Sequence, residues 1–205
     1  MSSSTNKKID ENIDYYFCIV ILGDRYSGKS CIVQRYVYER FWENHTLLLG
    51  PVYEIKFAEI YNKKVKLKIY DRPNTSGRFG ALSKKWFNIM DGAIIVYDFY
   101  YSDTLDNLKK QIEEIKLNAV LDTQIILFAN RFDSEKNLEE EEKVKKLADE
   151  YGIKHIEVSA KTGYNINEGF NSLVNDMITA SENPKGNNIM LENTDDKNNK
   201  RKKCA

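Results

Sequence analysis

Eight residues near the amino terminus, Gly23-Asp24-Arg25-Tyr26-Ser27-Gly28-Lys29-Ser30, limit what this chain can fold into more than any other stretch. An apolar run, Tyr15 to Leu22, precedes them, and Cys31 to Tyr38 reads as a helix behind them. The pattern is G-x-x-x-x-G-K-S, a phosphate-binding loop. Two glycines let the backbone curl until successive N–H groups face a polyphosphate. Lys29 would place an ammonium on the β/γ oxygens, and the Ser30 hydroxyl would ligate Mg²⁺. The following helix aims its positive end at the same anion. The phosphate-binding set is therefore Gly23, Asp24, Arg25, Tyr26, Ser27, Gly28, Lys29, Ser30 and Cys31. A chance match in a chain of this length is on the order of one in a hundred. The plainer alternative, a solvated strand-to-helix turn, is disfavoured because strand and helix stand where the motif requires them.

The rest of the chain alternates strand and helix patterns. Tyr15 to Leu22 has the continuous apolar character of a strand buried on both faces. Tyr53 to Ile60 and Val65 to Tyr70 read as a hairpin turning at Asn62-Lys63-Lys64. In its second strand Val65, Leu67 and Ile69 alternate with Lys66 and Lys68, as in a sheet with one drier face. Ala81 to Met90 is expected as a short helix and Gly92 to Asp98 as a buried strand. A further helix carries Leu105, Leu108, Ile112, Ile115 and Ala119 on one side. Gln124 to Ala129 and Lys154 to Val158 are strands. Between them Leu138 to Tyr151 is a charged helix with Val144, Leu147, Ala148 and Tyr151 inward. The last helix begins near Ile166, with Asn165 and Glu168 spaced as a capping box. It places Phe170, Leu173, Val174, Met177 and Ile178 at helical spacing.

This order predicts an α/β fold: a mostly parallel six-stranded sheet, one antiparallel strand from the hairpin, and helices on both faces. Residues 1–14 read as a disordered extension, 15–181 as one domain, and 182–205 as a flexible tail with a basic end. Ligands of such sheets bind beyond the carboxyl ends of the strands.

Composition narrows the function classes. The 205 residues include 31 basic and 31 acidic side chains, a formal net charge of zero, so no global field points to nucleic acid. Cys18, Cys31 and Cys204 are too scattered for a disulfide framework or a zinc site, which suits a reducing compartment. The longest apolar run is too short to span a bilayer, and the polar opening has no secretory core. An intracellular, cytoplasmic protein is expected. On that expectation the triplets Asn44-His45-Thr46 and Asn74-Thr75-Ser76 are coincidental rather than glycosylation sites.

Two loops after strands carry base-recognition chemistry, Asn130-Arg131-Phe132-Asp133 and Ser159-Ala160-Lys161. A carboxylate such as Asp133 can accept from both donors on guanine's Watson–Crick edge. Adenine offers an acceptor there and would leave the carboxylate unpaired, at a cost of at least ~1–3 kcal/mol. Sites of this kind reject the wrong partner by roughly 10⁴-fold.

On these motifs the chain resembles the small GTPases of the Ras superfamily, most closely the Rab branch. The resemblance covers Tyr15 to Ala180 and rests on Gly23–Ser30, Asp71, Asn130–Asp133 and Ser159–Lys161. The Rab leaning comes from Lys66-Leu67-Lys68-Ile69-Tyr70, Arg78-Phe79 and Tyr97-Asp98. It implies a P-loop GTPase domain that binds GTP or GDP with Mg²⁺. Asn130 and Asp133 would recognise guanine, Ala160 would offer an N–H to the base oxygen, and Lys161 and Arg131 would pack their stems on its two faces. Ser159 belongs to the same guanine-binding set. Asp71 would hold Mg²⁺ through water, beside Ser30. Effector and exchange-factor proteins are implied near residues 40–55 and 72–90, and a role in vesicle traffic on the cytosolic face of endomembranes.

The departures from the family pattern fall on the γ-phosphate side. Leu48 stands where the family has a threonine that reaches Mg²⁺ and the γ-phosphate; Thr46 lies close by. Asn74 replaces the γ-phosphate-sensing glycine unless Gly77 loops back, and Thr75 stands where a glutamine would orient water. Arg25, in place of a small residue, would crowd the attacking water or, on the opposite reading, serve as a built-in cation. Arg25 and Thr75 are thus the remaining catalytic candidates, and weak hydrolysis is expected. The alternatives are a nucleotide-bound scaffold that does not cycle and an adenine-specific P-loop enzyme, against which Asp133 and Ser159–Lys161 argue. At the carboxyl end, Lys200-Arg201-Lys202-Lys203 precede Cys204, a lipidation candidate that lacks a C-a-a-X box. His45 and His155 are expected to be surface and structural residues. Of Tyr36, Tyr38, Phe41 and Trp42, at least half are expected to pack rather than face a partner.

Overall fold

The structure is a computed structural model that describes residues 13–41, 52–71, 84–98, 104–130 and 138–183. Eleven elements follow in the order β1 (Tyr15–Gly23), α1 (Lys29–Tyr38), β2 (Val52–Ile60), β3 (Lys63–Asp71), α2 (Lys84–Ile89), β4 (Gly92–Tyr97), α3 (Thr104–Asn118), β5 (Gln124–Asn130), α4 (Leu138–Tyr151), β6 (Lys154–Val158) and α5 (Ile166–Glu182). The six strands form one sheet in the order β2-β3-β1-β4-β5-β6. Only the β2–β3 pair is antiparallel. The α/β architecture read from the sequence is the one observed.

Side-chain alternation assigns each strand residue to a layer. Phe17, Ile19 and Ile21 of β1 join Val65, Leu67 and Ile69 of β3 against α1 and α5, where Ile32, Tyr36, Phe170 and Leu173 are buried. Val20 and Leu22 point the other way, with Ala93, Ile95 and Tyr97 of β4, against α2, α3 and α4. Because both faces are covered, β4 is buried along its whole length. That is why its sequence is uniformly apolar rather than alternating.

Several local expectations need correction. Helix α1 begins at Lys29, two residues before the expected Cys31, so the helix starts inside the phosphate loop. The hairpin turns at Tyr61-Asn62, both with positive φ (51° and 61°), and strand pairing resumes at Lys63. A two-residue turn of this hand matches the strand twist, and asparagine tolerates it. The capping box at α5 is absent: Asn165 is left-handed (φ 55°) and makes no side-chain cap bond. Its Nδ2 donates instead to the Glu157 carbonyl at 3.0 Å, tying the helix start to β6. At the other end, Asp14 already joins the sheet, bonding Lys64 through both its own N–H and its carboxylate. The expected helix over Ala81 to Met90 is seen as Lys84–Ile89, and its first three residues lie outside the described set.

Candidate nucleotide-binding site

The phosphate loop bridges the end of β1 and the start of α1, and its backbone explains its glycines. A Cβ at Gly23 would stand 1.9 Å from the Val96 carbonyl oxygen, so only glycine lets β1 leave the sheet this close to β4. Gly28 caps α1 in a left-handed conformation (φ 88°) with no side-chain cap bond. The helix's first N–H groups are thus left to face an anion. Tyr26 also has a positive φ of 67° and is two-thirds exposed, with the Arg25 guanidinium 5.1 Å over its ring. Ser27 is buried beneath the loop, and its hydroxyl has no hydrogen-bond partner.

Lys29 is buried and donates from Nζ to the carbonyls of Gly23 (3.0 Å) and Asp24, which aims its ammonium across the loop. Desolvation lowers its pKa, opposed by the charges of Asp71 and Asp24. Asp71 ends β3, buried; desolvation raises its carboxyl, opposed by a hydrogen bond from the Ser30 hydroxyl and by the Lys29 charge. The two predicted Mg²⁺ residues are therefore in contact. One hydroxyl and one carboxylate are too few for an all-protein cation cage, and no cluster of three or more His, Cys, Asp or Glu exists among the described residues. The set fits Mg²⁺, which keeps waters and takes its other ligands from substrate phosphates. Cys31, in the first turn of α1, is buried, and desolvation pushes its thiol up to about 11. It can contribute its backbone there but not a thiolate.

The side expected from the sequence to take the base is built around Asn130, the last residue of β5, 1% exposed. Its Nδ2 donates to the Ser27 carbonyl in the phosphate loop at 3.0 Å, and its Oδ1 accepts from the Ala160 N–H at 3.2 Å. The N–H assigned to a base oxygen from sequence is thus engaged by Asn130 in this structure. The loop after β6 is closed by Ser159 N–H to Tyr164 O (3.0 Å) and Gly163 N–H to Ser159 O (2.8 Å). Lys161 is exposed at its edge. Arg131, Asp133, Leu48, Asn74, Thr75 and Cys204 lie outside the described residues, as do Trp42 and His45.

Sequence reasoning missed Arg35. From the last turn of α1 it donates to the carbonyls of Ala160 (2.8 Å) and Lys161 (2.6 Å). No signal in the sequence separates it from the basic residues that commonly end helices. His155 is structural, its Nε2 bonded to the Tyr97 hydroxyl. Tyr36 is buried and stacked on Phe170, Phe41 packs against the same core, and Tyr38 is exposed, which agrees with a packing role for half of that aromatic set.

The chain matches the Ras family over residues 18–179. It is 31% identical over 169 residues to Ras-related protein Rab-13 of Mesocricetus auratus, covering 82% of this chain and 83% of that one. It is 31% identical over 183 residues to Ras-related protein Rab-8 of Diplobatis ommata, covering 89% and 87%. Ras-related protein Rab-8B of Homo sapiens is 32% identical over 167 residues, covering 81% and 80%.

Proposed function

Because this chain belongs to the Ras family and stands close to its Rab members, we propose that it is a guanine-nucleotide switch of membrane traffic whose own hydrolysis is weak. One observation carries the nucleotide reading: Asn130 joins the phosphate loop at Ser27 to the post-β6 loop at Ala160. This supports reading the phosphate loop and the post-β6 loop as two sides of one nucleotide site. GTP or GDP would lie with its phosphates over Gly23–Cys31 and its base between the Asn130–Asp133 and Ser159–Lys161 segments. Asn130 and Asp133 read guanine, with the stems of Arg131 and Lys161 as walls. Mg²⁺ would be held by Ser30 directly and by Asp71 through water, and would supply charge neutralisation at the phosphates.

The weak-hydrolysis reading rests on residues, not on geometry. Leucine at position 48 has no side-chain oxygen to offer Mg²⁺, position 74 lacks the glycine, and no glutamine stands at 75 to orient water. Arg25, where the family keeps a small residue, would crowd the incoming water; here it is exposed with its guanidinium over the Tyr26 ring. Water positioning and an arginine finger together account for roughly 10⁵-fold in this class of reaction. A single-turnover GTP assay beside an ordinary Rab protein tests it: the expected rate is well below the Rab's, and an equal rate overturns the reading. The same substitutions favour a second reading, a GTP-retaining scaffold that never cycles. In that case protein purified natively releases GTP on denaturation, where a cycling switch releases GDP.

Effectors and exchange factors would engage residues near 40–55 and 72–90. No helix among the described residues is long and apolar enough to cross a membrane. Membrane attachment would instead be peripheral, through Lys200–Lys203 and lipid on Cys204, each basic residue adding about 1 kcal/mol at an anionic leaflet. Mass spectrometry of the native carboxyl terminus tests this, and an unmodified Cys204 would end the lipid anchor.

A further inference from the structure

Residue Ala160 is held from both sides. Its N–H donates to Asn130 Oδ1 at 3.2 Å, while its carbonyl accepts from Arg35 Nε at 2.8 Å. The same guanidinium donates to the Lys161 carbonyl at 2.6 Å and to the Glu39 carbonyl at 3.0 Å. Glu39 ends α1 in a left-handed conformation, its N–H bonded back to the Arg35 carbonyl at 2.9 Å. Asn130 in turn donates to Ser27 O at 3.0 Å. These contacts close a ring through the phosphate loop, α1, Arg35, Ala160 and Asn130, back to the phosphate loop. A basic residue in a last turn usually does no more than offset the helix's own terminal carbonyls. Here two of the three bonds reach a loop 125 and 126 residues away in sequence. A planar fork of fixed donors suits carbonyls spread over two segments, and it loses less freedom per bond than an ammonium on a flexible stem.

We propose that Arg35 is a positioning residue for nucleotide retention, fixing the Ala160–Lys161 backbone at a set distance from the phosphate loop. The inference rests on the guanine-nucleotide reading above. A nucleotide gripped at both ends leaves only when one grip loosens. The Arg35 junction keeps the base-side grip registered to the helix that begins at the phosphate-side grip. Among the described residues the Arg35 hydrogen bonds go to backbone carbonyls, so the base's identity is read elsewhere, and its removal acts on residence time rather than on selectivity.

The test is stopped-flow release of a fluorescent GDP from the Mg²⁺-loaded full chain, chased with excess GDP, for wild type, Arg35→Lys and Arg35→Met. Methionine keeps an apolar stem and loses every donor. Losing even one charge-assisted hydrogen bond corresponds to about a tenfold change, so Arg35→Met should release GDP at least ~10-fold faster. Arg35→Lys should fall between, near ~3-fold, because it can keep one of the bonds. Association rates and the preference for GDP over ADP should stay within about twofold of wild type. A merely structural arginine would lower the melting temperature and the fraction that loads, yet leave release from the loaded fraction unchanged, and that result overturns the proposal. If Arg35→Met does not fold, Arg35→Lys decides alone, a wild-type release rate counting against. Wild-type protein that fails to retain GDP at all would refute the guanine reading itself, and this is seen before any variant is made.

Discussion

Gly23 and Asp71 are the residues at which the cost of the site is most visible. An alanine at Gly23 would drive its Cβ to 1.9 Å from the Val96 oxygen, at a φ of 134° that L side chains rarely adopt. Gly23→Ala should therefore part β1 from β4, costing about 2–4 kcal/mol in chemical denaturation and abolishing nucleotide retention. Wild-type stability in that variant would contradict the close approach. Asp71 gives a pH dependence whose sign can be worked out. Burial raises its carboxyl above the ordinary 3.8, so between 3.8 and that raised value folding takes up a proton. Ligand-free protein thus gains stability from Asp71 as pH falls through this window. A cation beside the carboxylate opposes the same protonation. The rise in melting temperature produced by Mg²⁺ and GDP should therefore shrink as pH falls from neutrality into that window. In Asp71→Asn the rise should be smaller and flat across that range. A wild-type rise that does not vary with pH would count against Asp71 as the ion's partner.

Among the helices, α5 shows a close approach to the sheet at Gly169. A Cβ on Gly169 would meet the Phe128 ring at 2.5 Å, and that ring is itself edge-on to Phe170. Alanine gains about 1 kcal/mol of helix propensity there, but overpacking a buried ring costs about 1–3 kcal/mol. The second effect wins, so Gly169→Ala should lower the melting temperature, and a higher one would show that the α5–β5 contact is looser than it looks. The elements also show where sequence suffices. The bounds of α4 and β6 were legible because period and polarity change together at their ends, and the Val65, Leu67, Ile69 alternation named the buried face of β3. Asn165 was misread because a short amide can cap a helix or bond a neighbouring strand equally well, and only the nearness of Glu157 decides. Arg35 was invisible for the same reason: its partners are carbonyls, which no side-chain pattern encodes.

Across the whole molecule, the chemistry gathers at one end of the sheet, where β1, β3, β5 and β6 deliver Gly23, Asp71, Asn130 and Val158 to their loops. The described part of that gathering was readable from Gly23–Ser30, Asn130 and Ser159–Lys161, because loops after parallel strands collect beyond the same edge of the sheet, while Asp133 lies outside the described residues. The joints between those motifs, Asn130 to Ser27 and Arg35 to Ala160, were not, since topology alone brings them together. With its sheet packed on both faces, the molecule offers a frame for the proposed guanine nucleotide. Calorimetry with Mg²⁺ present, comparing GDP with ADP on the full chain, tests that account most directly. It should find GDP bound by at least roughly 10⁴-fold more tightly; equal affinity for the two would contradict it.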